Sequence, residues 1–211
     1  MNALDLTLYL VTDSSNMEET EFLSKVDAAC KGGVTLVQLR EKHKSTRDYM
    51  DLAYKVKKIT DCYHLPLLID DRLDVVQAVD AAGVHVGAED MPVALARKIL
   101  GPNKIVGATV KTVEAATKAE ADGADYLGVG AIYPTTTKVK TIITKVETLQ
   151  DICCHVQIPV GAIGGLNVDN CDILKGTSID GICVVSAIMK QDDCEKAARE
   201  LKKKICAILK K

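Results

Sequence analysis

The chain contains no tryptophan and a single phenylalanine among its 211 residues. Proteins that bind single-stranded nucleic acid stack bases on aromatic side chains, and this composition offers few of them. Neither sign of charge dominates, because 27 lysine and arginine residues stand against 29 aspartate and glutamate residues. A near-neutral chain gives no electrostatic reason to expect binding to nucleic acid or to an anionic membrane. The composition therefore argues against both kinds of partner.

Long apolar runs are also lacking, since none approaches the roughly 18 residues that a membrane-spanning helix needs. The first residues, Met1-Asn2-Ala3-Leu4-Asp5, lack the basic and apolar regions of a signal peptide. We therefore expect a cytoplasmic protein. The eight cysteines form no Cys-x-x-Cys pair and no zinc-finger spacing with histidine. We predict that most of them are reduced and act as small buried hydrophobic residues.

Short apolar runs alternate with segments of helical periodicity along the whole chain. The apolar runs are rich in β-branched residues, which is typical of strands buried on both faces of a parallel sheet. We predict eight strands, at Thr7–Val11, Val34–Leu39, Pro66–Ile69, Val84–Val86, Ile105–Ala108, Tyr126–Val129, Pro159–Ile163 and Ile179–Val185. We predict eight helices, at Glu21–Lys31, Thr46–Cys62, Arg72–Ala82, Pro92–Leu100, Val113–Asp122, Lys145–Cys154, Val168–Lys175 and Cys194–Leu209.

This alternation predicts an α/β protein in the form of a single (β/α)8 TIM barrel, with residues 1–211 as one catalytic domain. The length agrees, because such barrels commonly occupy roughly 200–250 residues. An open, doubly wound sheet is the alternative. It would need a reversal of strand order, and no Gly-x-Gly-x-x-Gly motif follows the first predicted strand.

Acidic side chains follow two neighbouring predicted strands, at the end of the barrel where such folds carry their active sites. Asp70 and Asp71 follow the third strand, and Glu89 and Asp90 follow the fourth. Carboxylates from adjacent strand ends converge, and Mg²⁺ prefers such oxygen ligands. The alternative is that each is a solvated acid or a helix N-cap. The pairing of Asp71 with Asp90 favours a metal site.

Cations and hydroxyl groups follow the other predicted strands. The candidates that could hold an anion there are Arg40, Lys42, Thr109, Thr135, Thr136, Thr137, Lys138 and Ser186. Gly164-Gly165 would leave backbone N–H groups open to an anion, and loops after strands seven and eight of barrels commonly bind phosphate. A polar loop and a tight turn are the plainer alternatives. Together with the carboxylates, these groups suit a diphosphate chelated to Mg²⁺.

Six motifs follow one another in a specific order over nearly the whole chain. They are Val37–Lys42 (VQLREK), Ile69–Val75 (IDDRLDV), Gly83–Pro92 (GVHVGAEDMP), Tyr126–Gly130 (YLGVG), Tyr133–Lys138 (YPTTTK) and Ala162–Leu166 (AIGGL). In this order they resemble the thiamine-phosphate synthase (thiamine-phosphate pyrophosphorylase) family. The resemblance implies the same (β/α)8 barrel.

The resemblance also implies a reaction, a cofactor and partners. A transferase of this family joins 4-amino-2-methyl-5-hydroxymethylpyrimidine diphosphate to 4-methyl-5-(2-phosphooxyethyl)thiazole, which gives thiamine phosphate and pyrophosphate. Pyrophosphate leaves first, and the thiazole nitrogen then captures the pyrimidine cation. The implied cofactor is Mg²⁺, and the implied partners are these two small molecules. Whether the chain forms a homodimer stays open.

Roles for individual residues follow from the same resemblance. The implied pyrimidine diphosphate site comprises Gln38, Arg40, Lys42, Asp70, Thr109 and Lys138. Three of these are the implied catalytic groups, namely Arg40, Lys42 and Lys138. The implied thiazole phosphate site comprises Thr135, Thr137, Gly165, Val185 and Ser186. The implied Mg²⁺ ligands are Asp71 and Asp90.

The chain departs from the family pattern at several of these positions. The family usually has asparagine where this chain has Asp70, and serine where it has Thr109. Val139 and Lys140 follow Lys138, where the family usually has a basic residue and then aspartate. Asp70 is either a further ligand of metal or water, or a charge that weakens diphosphate binding. We expect these changes to alter substrate affinity more than reaction type.

Three rival hypotheses concern the function. One is a non-catalytic relative that binds thiazole or thiamine phosphates. Another is a different phosphate-handling barrel enzyme, an isomerase or aldolase, which would want a lysine or carboxylate base in the barrel. The third, a structural or interaction protein, leaves the crowded strand ends unexplained. The pair of predicted metal carboxylates argues against a pure binder, and no rim lysine clearly lies within a predicted strand.

Overall fold

The computed structural model describes residues 4–135 and 142–210. In these ranges eight parallel strands pair in chain order and close into a barrel, because β1 pairs with both β2 and β8. The strands are β1 Leu8–Val11, β2 Leu36–Leu39, β3 Leu67–Asp70, β4 Gly83–Val86, β5 Ile105–Val110, β6 Tyr126–Gly130, β7 Val160–Ile163 and β8 Gly181–Val184. The predicted fold class is confirmed.

Helices follow the strands on the outside of the barrel. They are α1 Glu19–Gly32, α2 Thr46–Cys62, α3 Leu73–Val79, α4 Val93–Leu100, α5 Val113–Ala121, α6 Val146–His155, α7 Ser186–Met189 and α8 Cys194–Leu209. Side chains fix some of their starts. Ser45 accepts a hydrogen bond from the Asp48 N–H at the start of α2, and Thr112 accepts one from the Ala115 N–H at the start of α5.

The predicted helix at Val168–Lys175 is wrong. The chain forms only a 3₁₀ turn there, Cys171–Leu174. Asn167 Oδ1 accepts hydrogen bonds from the backbone N–H groups of Asp169 and Asn170, so side chains take the place of helical hydrogen bonds. The short helix α7 after β8 was not predicted.

Apolar side chains form two separate cores. The larger core lies between the barrel and its helices. The smaller core fills the barrel interior and is built around Tyr9 and Tyr126, whose ring centroids are 5.8 Å apart. A Cβ atom at Gly107 would lie 2.1 Å from Tyr126 Cζ, so glycine at this position leaves room for the tyrosine ring. The interior is therefore packed rather than open.

All eight cysteines are free thiols, and four of them are buried: Cys30, Cys171, Cys183 and Cys194. The prediction of buried, reduced cysteines holds for these four. Within residues 4–135 and 142–210, none of the helices combines the length and the apolar character needed to cross a bilayer.

Candidate active site

A connected group of charges lies where β2 and β3 end. Lys42 Nζ is 2.7 Å from Asp70 Oδ2 and also contacts Asp71 Oδ2. Arg40 Nε lies 3.7 Å from the same oxygen of Asp70. Asp70 is buried, and no described residue donates a hydrogen bond of good geometry to its Oδ2. Electrostatic attraction between opposite charges therefore holds the Asp70 carboxylate next to Lys42. The structure thus brings together four of the predicted site residues.

The backbone turns sharply at Asp71. Its φ of 61° is in the left-handed region, which aspartate tolerates at a cost of about 1 kcal/mol or more. The turn is held because the Asp71 N–H donates to the His85 carbonyl, at 2.9 Å. Burial, the charge of Asp70 and a contact with Asp90 raise the pKa of Asp71 to about 6, although Lys42 acts in the opposite direction.

Lys42 experiences the complementary effect. Burial opposes its positive charge, but Asp70 and Asp71 outweigh burial and raise the pKa of its ammonium group. The ammonium group therefore stays charged beside the two carboxylates.

Asp90 joins this group from the loop after β4. Its Oδ2 accepts a hydrogen bond of 2.8 Å from the Gly87 N–H, and its own N–H donates to the Gly87 carbonyl. The loop cannot carry a larger residue at Gly87 without a shift, because a Cβ atom there would lie 2.8 Å from Asp90 Oδ2. This compact turn places the Asp90 carboxylate next to Asp71, as the sequence predicts.

The donor set at this point fits a hard divalent cation held partly by its substrate. Asp71 and Asp90 offer carboxylate oxygens that contact each other, and burial together with the charge of Asp70 raises the pKa of Asp71. In the described part of the chain, no cluster of three or more carboxylate, imidazole or thiol groups forms a complete metal site. Mg²⁺ is commonly bound by one or two carboxylates together with substrate phosphates and water. Two carboxylates therefore suffice for a site of that kind.

The loops after β6 and β7 pack against each other at the opposite side of the barrel end. Gly165 has a φ of +65°, and a Cβ atom there would lie 2.7 Å from the Pro134 carbonyl oxygen. Its own carbonyl accepts a hydrogen bond from Asn170 Nδ2. No described residue accepts a hydrogen bond from the Gly165 N–H. This backbone group is therefore available to an anion.

The remaining predicted residues of the thiazole phosphate site are placed unevenly. Val185 and Ser186 follow β8 directly and are half-buried, and Thr135 is half-buried in the loop after β6. Thr137 and Lys138 lie outside the described residues.

The floor of the site is a set of interior polar side chains. Gln38 donates to Tyr9 Oη, which hydrogen-bonds to Tyr126 Oη. His85 bridges Tyr126 and Thr109. His85 is buried within the barrel. The two tyrosines were not predicted as site residues.

The lysine that an aldolase-like barrel would need is not found in the described strands. Lys111 follows the last residue of β5, and its Nζ donates to the Ile142 carbonyl at 3.1 Å. This geometry gives no support to a lysine base within the barrel.

Comparison with known proteins agrees with this geometry. The family model for thiamine monophosphate synthase matches residues 8–188. The chain belongs to the thiamine monophosphate synthase family.

Similar family members cover nearly the full chain. Thiamine-phosphate synthase 2 of Streptococcus pneumoniae serotype 4 is 54% identical over 99% of this chain and 100% of its own length. Thiamine-phosphate synthase of Methanobrevibacter smithii is 47% identical over 98% of this chain and 99% of its own. The structure of thiamine phosphate pyrophosphorylase from Pyrococcus furiosus is similar with a TM-score of 0.90, at 40% identity and 98% coverage of both chains.

These likenesses confirm the family predicted from the six motifs. They make the chain an enzyme, a transferase of thiamine biosynthesis. The rival hypotheses of a non-catalytic relative, a different barrel enzyme and a structural protein are not supported.

Proposed function

We propose that this chain joins 4-amino-2-methyl-5-hydroxymethylpyrimidine diphosphate to 4-methyl-5-(2-phosphooxyethyl)thiazole at the charged end of the barrel, forming thiamine phosphate and pyrophosphate. The observation that carries the proposal is the meeting of Arg40 and Lys42 with the carboxylates of Asp70 and Asp71. Cations and carboxylates in one cleft suit a metal-chelated diphosphate, whereas a neutral ligand would make no ionic interaction with them.

The reaction proceeds by loss of the leaving group before attack. The bond between the pyrimidine methylene carbon and the diphosphate oxygen breaks, and its electron pair goes to pyrophosphate. The thiazole nitrogen then donates its lone pair to the pyrimidine-stabilised cation, which forms the new carbon–nitrogen bond. The site needs no side-chain nucleophile for this sequence. It needs positive charge aimed at the departing oxygens.

Arg40 and Lys42 supply that charge. Lys42 is held charged by Asp70 and Asp71, and Arg40 lies within reach of the same carboxylate. When the diphosphate binds, both cations can exchange a carboxylate partner for a phosphate oxygen without crossing the cleft. Lys138, which comes after β6 in the sequence, adds a third cation to this proposal.

Mg²⁺ is the proposed metal, held by Asp71 and Asp90. When bound, it neutralises charge that develops on the leaving pyrophosphate. The fit rests on two adjacent carboxylates, in line with Mg²⁺ sites that use one or two carboxylates together with substrate phosphates. Asp70 is proposed to compete with the diphosphate for Arg40 and Lys42.

The pyrimidine ring is proposed to lie over the barrel interior, against Gln38 and Thr109. The thiazole phosphate is proposed to bind across the loops after β6, β7 and β8, at Thr135, Thr137, Gly165, Val185 and Ser186. The Gly165 N–H supports this placement, because no described residue accepts from it and backbone N–H groups in such loops bind phosphate. Two substrates held in one cleft also gain rate by orientation.

The test is formation of thiamine phosphate by the purified chain from both substrates with Mg²⁺. We expect one pyrophosphate to be released for each thiamine phosphate formed, and none when either substrate is omitted. Binding of both substrates without product would contradict the proposed function. The cytoplasmic location stays a prediction.

A further inference from the structure

Five polar side chains from five strands form an unbroken hydrogen-bonded chain through the barrel interior. The contacts are Gln38 Nε2 to Tyr9 Oη at 2.5 Å, Tyr9 Oη to Tyr126 Oη at 2.8 Å, Tyr126 Oη to His85 Nδ1 at 2.7 Å, and His85 Nε2 to Thr109 Oγ1 at 2.8 Å. The exposed fraction is 3% for Gln38, 1% for Tyr9, 0% for Tyr126 and 8% for His85. The chain therefore runs away from water between two residues of the proposed pyrimidine site. We call it the interior chain.

Proton counting fixes the direction of the first hydrogen bonds. Burial raises the pKa of Tyr9 and of Tyr126 well above its ordinary value, so each hydroxyl keeps its proton. The Gln38 amide nitrogen can only donate, so Tyr9 Oη accepts from it. Among the described residues, Tyr126 Oη is the one other group bonded to Tyr9 Oη. Tyr9 therefore donates to Tyr126, because a buried proton without an acceptor would destabilise the fold.

The directions of these hydrogen bonds also determine the protonation state of His85. Tyr126 accepts from Tyr9 and so uses its own proton to donate to His85 Nδ1. A nitrogen that accepts carries no proton, so the imidazole is neutral and its proton lies on Nε2. Nε2 then donates to Thr109 Oγ1. The Thr109 hydroxyl oxygen therefore accepts the hydrogen bond from His85. The hydroxyl proton of Thr109 can then be donated to a different acceptor.

The two ends of the interior chain consequently present opposite polarity. The Gln38 N–H is committed to Tyr9, and no described residue donates to Gln38 Oε1. Gln38 therefore offers an acceptor, while Thr109 offers a donor. We propose that Tyr9, Tyr126 and His85 are positioning residues, which hold Gln38 as the acceptor and Thr109 as the donor toward one bound ring.

A 4-aminopyrimidine matches this polarity. Its exocyclic amino group donates and its ring nitrogens accept, so it can bond to Gln38 and Thr109 together. A 4-oxopyrimidine of the same size carries an acceptor in place of the amino group and would meet the acceptor of Gln38. The inference rests on the proposed function for its substrate, and it adds the reason for selecting an amino over an oxo substituent.

The test is the substitution Tyr126→Phe, since Tyr126 bonds to neither Gln38 nor Thr109. The measurement is the ratio of kcat/KM for the pyrimidine diphosphate to kcat/KM for its 4-oxo analogue, with the thiazole phosphate and Mg²⁺ fixed. Without the Tyr126 hydroxyl, Tyr9 can donate to Gln38 Oε1, and the amide can turn over. We expect the ratio to fall at least about tenfold, because a hydrogen-bonding site discriminates through buried groups left unpaired.

Tyr49→Phe is the matched control. Tyr49 is as buried as Tyr126, but its hydroxyl contacts only backbone carbonyls among the described residues, those of Leu39 at 2.7 Å and Asp70 at 3.3 Å, and no member of the interior chain. We expect this variant to lose stability and to keep the wild-type ratio. An unchanged ratio in Tyr126→Phe, or an equal fall in Tyr49→Phe, would overturn the inference.

Tyr9→Phe serves if Tyr126→Phe does not fold, and the same fall in the ratio is expected. A wild-type chain that makes no thiamine phosphate would overturn the proposed function instead. The selection is then measured as the ratio of the Kd values of the two diphosphates by calorimetry. Equal Kd ratios in wild type and Tyr126→Phe would overturn the inference in that case.

Discussion

Asp70 has two interpretations, as a further ligand of metal or water or as a charge that weakens diphosphate binding. It is buried, it lies 2.7 Å from Lys42 Nζ, and Arg40 Nε is 3.7 Å away. An incoming diphosphate must compete with this carboxylate for both cations. The same charge raises the pKa of the neighbouring Asp71. The geometry therefore favours the interpretation of Asp70 as a charge that weakens diphosphate binding.

We predict that Asp70→Asn leaves kcat near the wild-type value and lowers the KM for the pyrimidine diphosphate by up to about tenfold. Asp70 is buried but its partner Lys42 is partly exposed, and loss of one charge from such a pair is worth on the order of 1 kcal/mol, which sets this scale. Steady-state kinetics with saturating thiazole phosphate measure both constants. A large loss of kcat would instead show that the carboxylate itself is required.

Asp90 is the residue that tests the metal proposal with least disturbance. Asparagine keeps the acceptor that the Gly87 N–H needs but carries no charge. We predict that Asp90→Asn raises the Mg²⁺ concentration for half-maximal activity by an order of magnitude or more.

Glu89→Gln is the matched control, because this exposed acid precedes Asp90 and lies in the same loop. Its Mg²⁺ requirement should stay within about twofold of the wild type. An Mg²⁺ titration of activity measures all three proteins. Equal curves for Asp90→Asn and the wild type would exclude Asp90 as a ligand.

The charged residues of the site could be predicted from the sequence, whereas the interior polar residues could not, for a physical reason. Arg40, Lys42, Asp71 and Asp90 each follow an apolar run, where a polar side chain is conspicuous. Tyr9 and Tyr126 lie inside such runs, where an aromatic residue is typical of a core. Their mutual hydrogen bond depends on the closure of the barrel, which brings residues 117 positions apart into contact.

At the level of secondary structure, the ends of the strands opposite the active site are held by side chains. Asp125, just before β6, accepts a hydrogen bond from the Val106 N–H of β5. Asp180, just before β8, does the same for the Val160 N–H of β7. Arg97 of α4 contacts Asp125 and donates to the carbonyls of Gly101, Lys104 and Gly123. One arginine thus ties α4 to the starts of two strands.

We predict that Arg97→Met lowers the free energy of unfolding by about 2 kcal/mol and leaves kcat and KM unchanged. The substitution keeps an apolar stem but leaves several part-buried carbonyls and one carboxylate without a donor. Denaturant unfolding provides the measurement. Arg199→Met, at an exposed position of α8, is the control and should change stability by no more than about 0.5 kcal/mol. An effect of Arg97→Met no larger than that of the control would contradict this account.

The boundaries of most elements could be predicted, but the segment after β7 could not. Helical spacing of apolar residues favoured a helix over Val168–Lys175, yet Asn167 and Asn170 hydrogen-bond to nearby backbone and hold a loop. Such local side-chain competition is decided by small differences in geometry. The 3₁₀ turn at Cys171–Leu174 is the result.

At the scale of the whole molecule, closure of the barrel brings side chains that are far apart in the sequence together at one end. Strands pair in chain order, so residues that follow β2, β3 and β4 meet along one arc of the barrel end, and those that follow β6, β7 and β8 meet along the other. The periodicity of the chain was sufficient to predict this closure, because eight buried strands with alternating helices have few other solutions. The two arcs provide separate places for the two proposed substrates.

The central claim is that positive charge at one arc stabilises the departing pyrophosphate, and Arg40→Ala tests it most directly. The measurement is kcat for pyrophosphate release with both substrates and Mg²⁺ saturating, with Lys44→Ala, an exposed cation of the same loop, as the control. We expect kcat to fall by about 10²–10³ in Arg40→Ala and by no more than twofold in the control. A folded Arg40→Ala protein that retains kcat within about threefold of the wild type would contradict the central claim.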